Sequence, residues 1–150
     1  MELSFIDRLV DPRVTAKPAN QWEHEREFRA SLCRDLGDLF NTRRAESDFD
    51  PAFVELTNTL LTFGIPDFTQ YDLENEAERR RVLSSLKGAI ENFEPRLKDV
   101  IVSLEPLNKL NPVLRFRIDA RLRDGGDIEN VSFDATVQRE SRRFLVTGAV

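Results

Sequence analysis

The stretch Ile90-Glu91-Asn92-Phe93-Glu94-Pro95-Arg96-Leu97 concentrates side chains that could do chemistry. Two carboxylates three residues apart on a helix could reach the ~5 to ~9.5 Å separation used in glycoside hydrolysis. That reaction needs one carboxyl kept protonated, usually by an apolar pocket. Arg96 follows Glu94 by two residues, and a guanidinium favours the charged carboxylate, the wrong state for a general acid. Pro95 biases Glu94 toward extended backbone, where side chains two apart point the same way. Glu94 and Arg96 should therefore project together, a carboxylate acceptor beside a five-donor fork. On residue types and spacing alone, two readings stand level: an ion pair that only fixes this junction, and a polar grip on another protein. Catalysis by Glu94, as in a peptidoglycan hydrolase, ranks behind both.

Other chemistry has few residues to draw on. The one histidine, His24, lies in the charged run "EHERE", and the one cysteine, Cys33, has no base placed for it in sequence. Cys33 reads as a half-buried structural thiol. Four clustered zinc ligands are absent, and so is a glycine-rich phosphate loop; neither metal nor cofactor is expected. The 150 residues suffice for one domain with a core, and a net charge of -5 argues against nucleic acid and anionic lipid. No run approaches the ~20 apolar residues of a membrane helix. The start "MELSFIDRLVDPRV" lacks the pattern of a secretion signal. With a single cysteine, the chain is expected to be cytoplasmic.

The elements that position Glu94 and Arg96 follow from hydrophobic period. Residues 1–19 read as an N-terminal arm and linker, with Ile6, Leu9 and Val10 on one helical face and two prolines after them. Residues 20–150 read as a single domain. Asn20 and Glu23 resemble a capping box. It opens a helix from about Trp22 to Asn41, with Phe28, Leu32, Leu36 and Leu39 or Phe40 on one face. A second helix is expected from Asp50-Pro51 to Gly64, which would end it in left-handed backbone. A third starts near Leu73 and buries Leu83, Leu86, Ile90 and Phe93. Its run Arg79-Arg80-Arg81 reads first as a solvated face, with a binding role as the lesser reading.

After Pro95 the period changes from 3.6 to 2. Val100, Val102 and Leu104 alternate with Ile101, Ser103 and Glu105, and Leu114, Phe116, Ile118, Ala120 and Leu122 alternate with charged residues. Val131, Phe133, Ala135 and Val137 form the next strand, and Phe144-Leu145-Val146-Thr147 the last. Short connections imply an antiparallel meander. The expected fold is α+β: about three N-terminal helices packed on a C-terminal antiparallel sheet of about four strands. The last strand, Phe144, Leu145, Val146 and Thr147, is expected at a sheet edge with free backbone groups.

Five segments in this order carry a resemblance: "CRDLGDLFNTRR", "TFGIPDF", "IENFEPRLKDVIV", "LRFRIDARL" and "VSFDATV", with "SFIDRLVDP" at the start. Together they resemble the baseplate wedge family shared by contractile phage tails and type VI secretion systems, in particular its TssE-type secretion subunits. Phe40 stands where the resemblance would put leucine. The resemblance implies a non-enzymatic structural subunit of the cytoplasmic baseplate. It implies that Glu94, Pro95 and Arg96 contact the wedge core bundle (TssF and TssG type), and that Arg43 and Arg44 also bind partners, with capping of the first helix by "NTRR" as the equal alternative. It further implies initiation of the contractile sheath (TssB and TssC type) by strand pairing, in agreement with the edge argument for Phe144–Thr147.

Overall fold

The structure is a computed structural model and describes residues 21–44, 59, 62–68, 71–105, 113–124, 127–138 and 141–149. The N-terminal arm, its linker and the Asn20 side of the expected capping box lie outside these residues. Helix α1 runs Gln21–Asn41. Phe28, Leu32, Leu36, Leu39 and Phe40 are all buried, so the steps of three and four produce the expected apolar stripe. The end of α1 is closed by its own side chains. Asn41 Nδ2 donates to the Gly37 carbonyl at 2.8 Å and Thr42 Oγ1 to the Asp38 carbonyl at 2.7 Å, supplying donors that the last helical turn lacks.

Helix α2 runs Glu76–Phe93 and starts three residues later than the expected Leu73. Asn75 sets the boundary: its side chain accepts the Ala77 N–H at 3.0 Å, the bond an N-cap supplies. Glu76 and Glu78 in the first turn suit the helix dipole. The fully buried positions are Val82, Leu86, Ala89 and Ile90, while Leu83 and Phe93 are half-buried. The buried face is therefore rotated slightly from the expected stripe.

Among the described residues there are two helices, not about three. Most of the expected middle helix lies outside the described residues. At its C-terminal end the chain is turned, with the Thr62 N–H donated to the Thr59 carbonyl at 3.1 Å. Gly64 has the expected positive φ (104°), and a close approach to the end of α1 also requires glycine there. A Cβ there would lie 2.3 Å from the Thr42 carbonyl oxygen. Glycine lets this segment press against the end of α1, where Arg43 and Ile65 form a parallel bridge.

The strands are β1 (Leu97–Leu104), β2 (Leu114–Asp124), β3 (Asp127–Val137) and β4 (Phe144–Ala149), in one antiparallel sheet of spatial order β1-β2-β3-β4. The meander is as expected, but β1 begins three residues before Val100. Its register shifts between Lys98 and Ile101, and Asp99 has φ 52°. This bulge lets Leu97 and Val100, three residues apart, both face the core. Simple alternation cannot signal such a pair. Phe116, Ile118, Ala120, Leu122, Val131, Phe133 and Ala135 complete the central inner face. Helix α1 packs on β4 and α2 on β1, burying that face as one core. Phe40, Phe68, Phe116 and Phe144 form an aromatic group with centroids 5.3–6.4 Å apart. On the outer face Arg117, Asp119 and Arg121 meet water and polar neighbours, including Ser132 bonded to Asp119 at 2.6 Å.

Candidate partner-binding site

Glu94 is the residue where α2 stops and the path into β1 begins. It is the C-cap, with φ -119° and ψ 81°, and its N–H is still donated to the Ile90 carbonyl at 2.8 Å. The Leu97 N–H is donated back to the Glu94 carbonyl at 3.1 Å. That bond closes a four-residue turn with Pro95 at its second position, where the fixed proline φ is favoured. The expected extended backbone is thus replaced by a turn. Glu94 and Arg96 still meet, because the turn folds one back on the other.

They meet as a two-point ion pair. Arg96 Nε donates to Glu94 Oε1 at 2.6 Å and Arg96 Nη2 to Oε2 at 2.5 Å. The Arg96 backbone N–H also reaches Oε1, at 3.3 Å. The Glu94 side chain is only 6% exposed and that of Arg96 20%. Arg96 Nη2 also donates to Asp35 of α1, and its guanidinium carbon stands 5.6 Å from the centre of the Phe28 ring. Phe28 and Asp35 are two turns apart on α1, so Arg96 lies across the helix and ties it to the α2–β1 junction. Burial works against the Arg96 charge, but the hydrogen bonds and charges of Glu94 and then Asp35 outweigh it and raise the pKa further above the ordinary arginine range. Arg96 Nη1 is buried and has no hydrogen-bond partner. Pro95 is exposed.

Arg43 and Arg44 follow α1 but face different surroundings. Arg43 pairs with Asp67 at 2.9 Å and is 62% exposed; it borders a cavity of about 180 Å³ with Phe68, Arg142 and Phe144. Arg44 anchors its backbone N–H on the Ile65 carbonyl at 2.9 Å and borders a larger groove beside Asn92 and Phe93. The structure therefore places Arg44, but not Arg43, on a groove that leads to the junction.

At the expected strand edge, Phe144 and Val146 point inward and are buried, while Leu145 is 53% exposed and Thr147 is exposed. One feature was not legible in the sequence. Asn41 Oδ1 accepts the Phe144 N–H at 2.9 Å and Asn41 Nδ2 donates to the Phe144 carbonyl at 3.0 Å. A single side-chain amide thus plays the part of a neighbouring strand at that residue. Cys33 lies near the other end of β4. Burial raises its pKa, and the Gly148 backbone N–H pulls it partly back. The raised value fits the expected structural thiol. The side chain of His24 lies outside the described residues. Among the described residues no group of three or more His, Cys, Asp or Glu side chains could hold a metal ion, and no helix is long and apolar enough to cross a membrane.

Asp35, Phe28 and Asn41 are the site residues that sequence reading missed. Their partners lie 61, 68 and 103 positions away, so no local spacing marks them.

The family model for baseplate wedge protein gp25 matches residues 26–127, more than half of the chain and all of the α2–β1 junction. The chain belongs to the baseplate wedge protein gp25 family. That is also the family of the TssE-type subunits. Membership makes it a baseplate structural component by family. Within the matched span lie both helices from Arg26 onward, β1, β2, and Glu94-Pro95-Arg96; β4 lies beyond it. No curated protein matches the chain.

Proposed function

We propose that this gp25-family chain is a non-enzymatic structural subunit of a type VI secretion baseplate, working in the cytoplasm. It holds the wedge core bundle, of the TssF and TssG type, at Glu94-Pro95-Arg96, with Arg43 and Arg44 as flanking contacts. The observation that carries this reading is the closed turn at the junction. Both Glu94 oxygens are held by Arg96, so the motif presents a rigid shape with Pro95 at its exposed tip. A surface fixed before binding loses little entropy on docking. The same bonds occupy both carboxylate oxygens of Glu94, so the group is turned to Arg96 and not to a substrate.

Sheath initiation, with subunits of the TssB and TssC type, is the second half of the proposal. An added strand would pair with the outer edge of β4, the segment Phe144, Leu145, Val146 and Thr147. Asn41 already takes the outward backbone groups of Phe144. Alternation in an antiparallel ladder puts the Val146 groups on the same outward side. The incoming strand would therefore register on Val146 and displace or abut Asn41.

The test is co-purification with core-bundle subunits of the wild-type chain and of Glu94→Ala and Arg96→Ala variants, run at a temperature where each variant is shown to be folded. Loss of the complex with folded variants supports the reading. Normal complex formation with both removes the junction as the grip. Digestion of peptidoglycan by purified protein, abolished in Glu94→Gln, would replace this reading with the hydrolase.

A further inference from the structure

The run Arg79-Arg80-Arg81 is not used by the junction. Two of its members, Arg80 and Arg81, border a groove of about 590 Å³ together with Arg44, Ser84, Ser85 and Asn92. The groove lies along the flank of α2 beside Thr62 and Gly64 and reaches Ala89 at the border of the buried stripe. No carboxylate borders it among the described residues. Arg80 has an ion pair with Glu76, one turn back on α2. The guanidiniums of Arg44 and Arg81 have no ion pair among the described residues, although the chain as a whole carries a net charge of -5. Among the described residues positive charge is thus in excess at this groove of an acidic protein, which points to a short-range contact, since the overall field would not steer a polyanion toward it.

We infer that this groove is a docking site for an acidic peptide segment of a partner protein. Guanidinium forks match carboxylates two bonds at a time, and Ser84, Ser85 and Asn92 add hydrogen-bonding groups beside them. The volume falls within the ~300–1,000 Å³ of ligand clefts, far more than one small anion fills. Single-stranded nucleic acid is less well served, because such sites offer aromatic faces for stacking. Among the described residues the one aromatic bordering this groove, Phe93, already packs edge-on against Phe63 at 5.2 Å. Asn92 and Phe93 immediately precede Glu94, so the groove opens beside the junction. A partner seated there could extend an acidic segment along α2, but the groove does not depend on that partner.

Gly88 provides a clean way to block the groove. A Cβ at Gly88 meets nothing within 4 Å, so Gly88→Glu adds an acid there without disturbing the core. The probe is a fluorescent peptide of about ten residues, alternating Glu and Ala, followed by anisotropy on the full chain. Arg44→Ala with Arg81→Ala is expected to weaken binding roughly tenfold, as two exposed ion pairs would, and Gly88→Glu to weaken it similarly. Arg115→Ala with Arg117→Ala, on the outer sheet face, serves as the control and should leave binding unchanged. Equal weakening by the control pair overturns the inference, and so does absence of binding by the wild-type chain. Displacement of the peptide by equimolar inorganic phosphate would mean a small-anion site instead. Tighter binding of a single-stranded oligonucleotide, lost in the groove variants, would likewise overturn it. Because this assay contains no wedge subunit, its failure leaves the Glu94-Pro95-Arg96 reading standing, and the reverse also holds.

Discussion

Replacing Arg96 by alanine removes one side chain but leaves two acids behind. Glu94, with a 6% exposed side chain, loses both of its side-chain donors, and Asp35, 26% exposed, loses its bond to Nη2. Removing one partner of a buried ion pair costs about 3–5 kcal/mol, because the other charge stays out of water. Losing the contact over the Phe28 ring adds ~0.5–1 kcal/mol. Against a total stability of roughly 5–15 kcal/mol for a domain of this kind, that is a large fraction. At ~2–4 °C per kcal/mol for this chain length, Tm should fall by about 7–24 °C. Glu94→Gln should cost less, about 1–2 kcal/mol, since it keeps the shape and an acceptor while Asp35 still faces the guanidinium. The double variant Glu94→Ala with Arg96→Ala should lose clearly less than the sum of the two single losses, with a coupling of about 2 kcal/mol. Urea unfolding followed by circular dichroism measures all of these. A loss below about 1 kcal/mol for Arg96→Ala, the level of an exposed pair, together with additive double-variant behaviour, would refute the buried-cluster reasoning. The result also decides how assembly assays on this motif are read, since a partner-binding defect counts only in a variant that is still folded.

Three further outcomes follow from other parts of the fold. Gly64→Ala should destabilise by about 2 kcal/mol or more in the same assay, because φ is 104° and the new Cβ would lie 2.3 Å from the Thr42 carbonyl oxygen. Asn41→Ala should cost about 1–3 kcal/mol, leaving the Phe144 N–H and carbonyl without their side-chain partner, and should speed amide exchange at Phe144. Cys33 has a folded pKa raised above the ordinary thiol value of 9.0 by burial. Above that value the unfolded chain loses its thiol proton first and holds fewer protons than the folded one. Stability should therefore fall as pH rises from about 9 toward the folded pKa, and Cys33→Ala should flatten that part of the profile.

How much of this was legible in the sequence depends on the distance over which each interaction acts. Period 3.6 in α1 and period 2 in β2 and β3 are properties of neighbouring residues, and they located those elements and their buried faces. Where two local signals competed, the reading slipped. Leu73 opens the apolar pattern of α2, yet Asn75 caps it. Gly64 takes the positive φ that its place in the sequence suggested, but its close approach to Thr42 shows only in the fold. The β1 bulge at Asp99 also escaped, because Leu97 and Val100 share a face only after the register shifts against β2.

The pairing of Glu94 with Arg96 was likewise set by the chain itself, since proline and a two-residue gap leave the two side chains little room to part. By itself the sequence also determined the α+β class, the order of strands in the meander and the family. Only the tertiary structure decided that the pair is enclosed. Asp35 and Phe28 come from a helix about sixty residues earlier, and packing alone brings them onto Arg96. The same packing carries Asn41 to the edge of β4 and gathers Arg44 with Arg80 and Arg81 around one groove. Sequence spacing governs contacts within a turn or a strand; contacts between elements depend on how the helices settle on the sheet, and there burial and charge acquire their energetic weight.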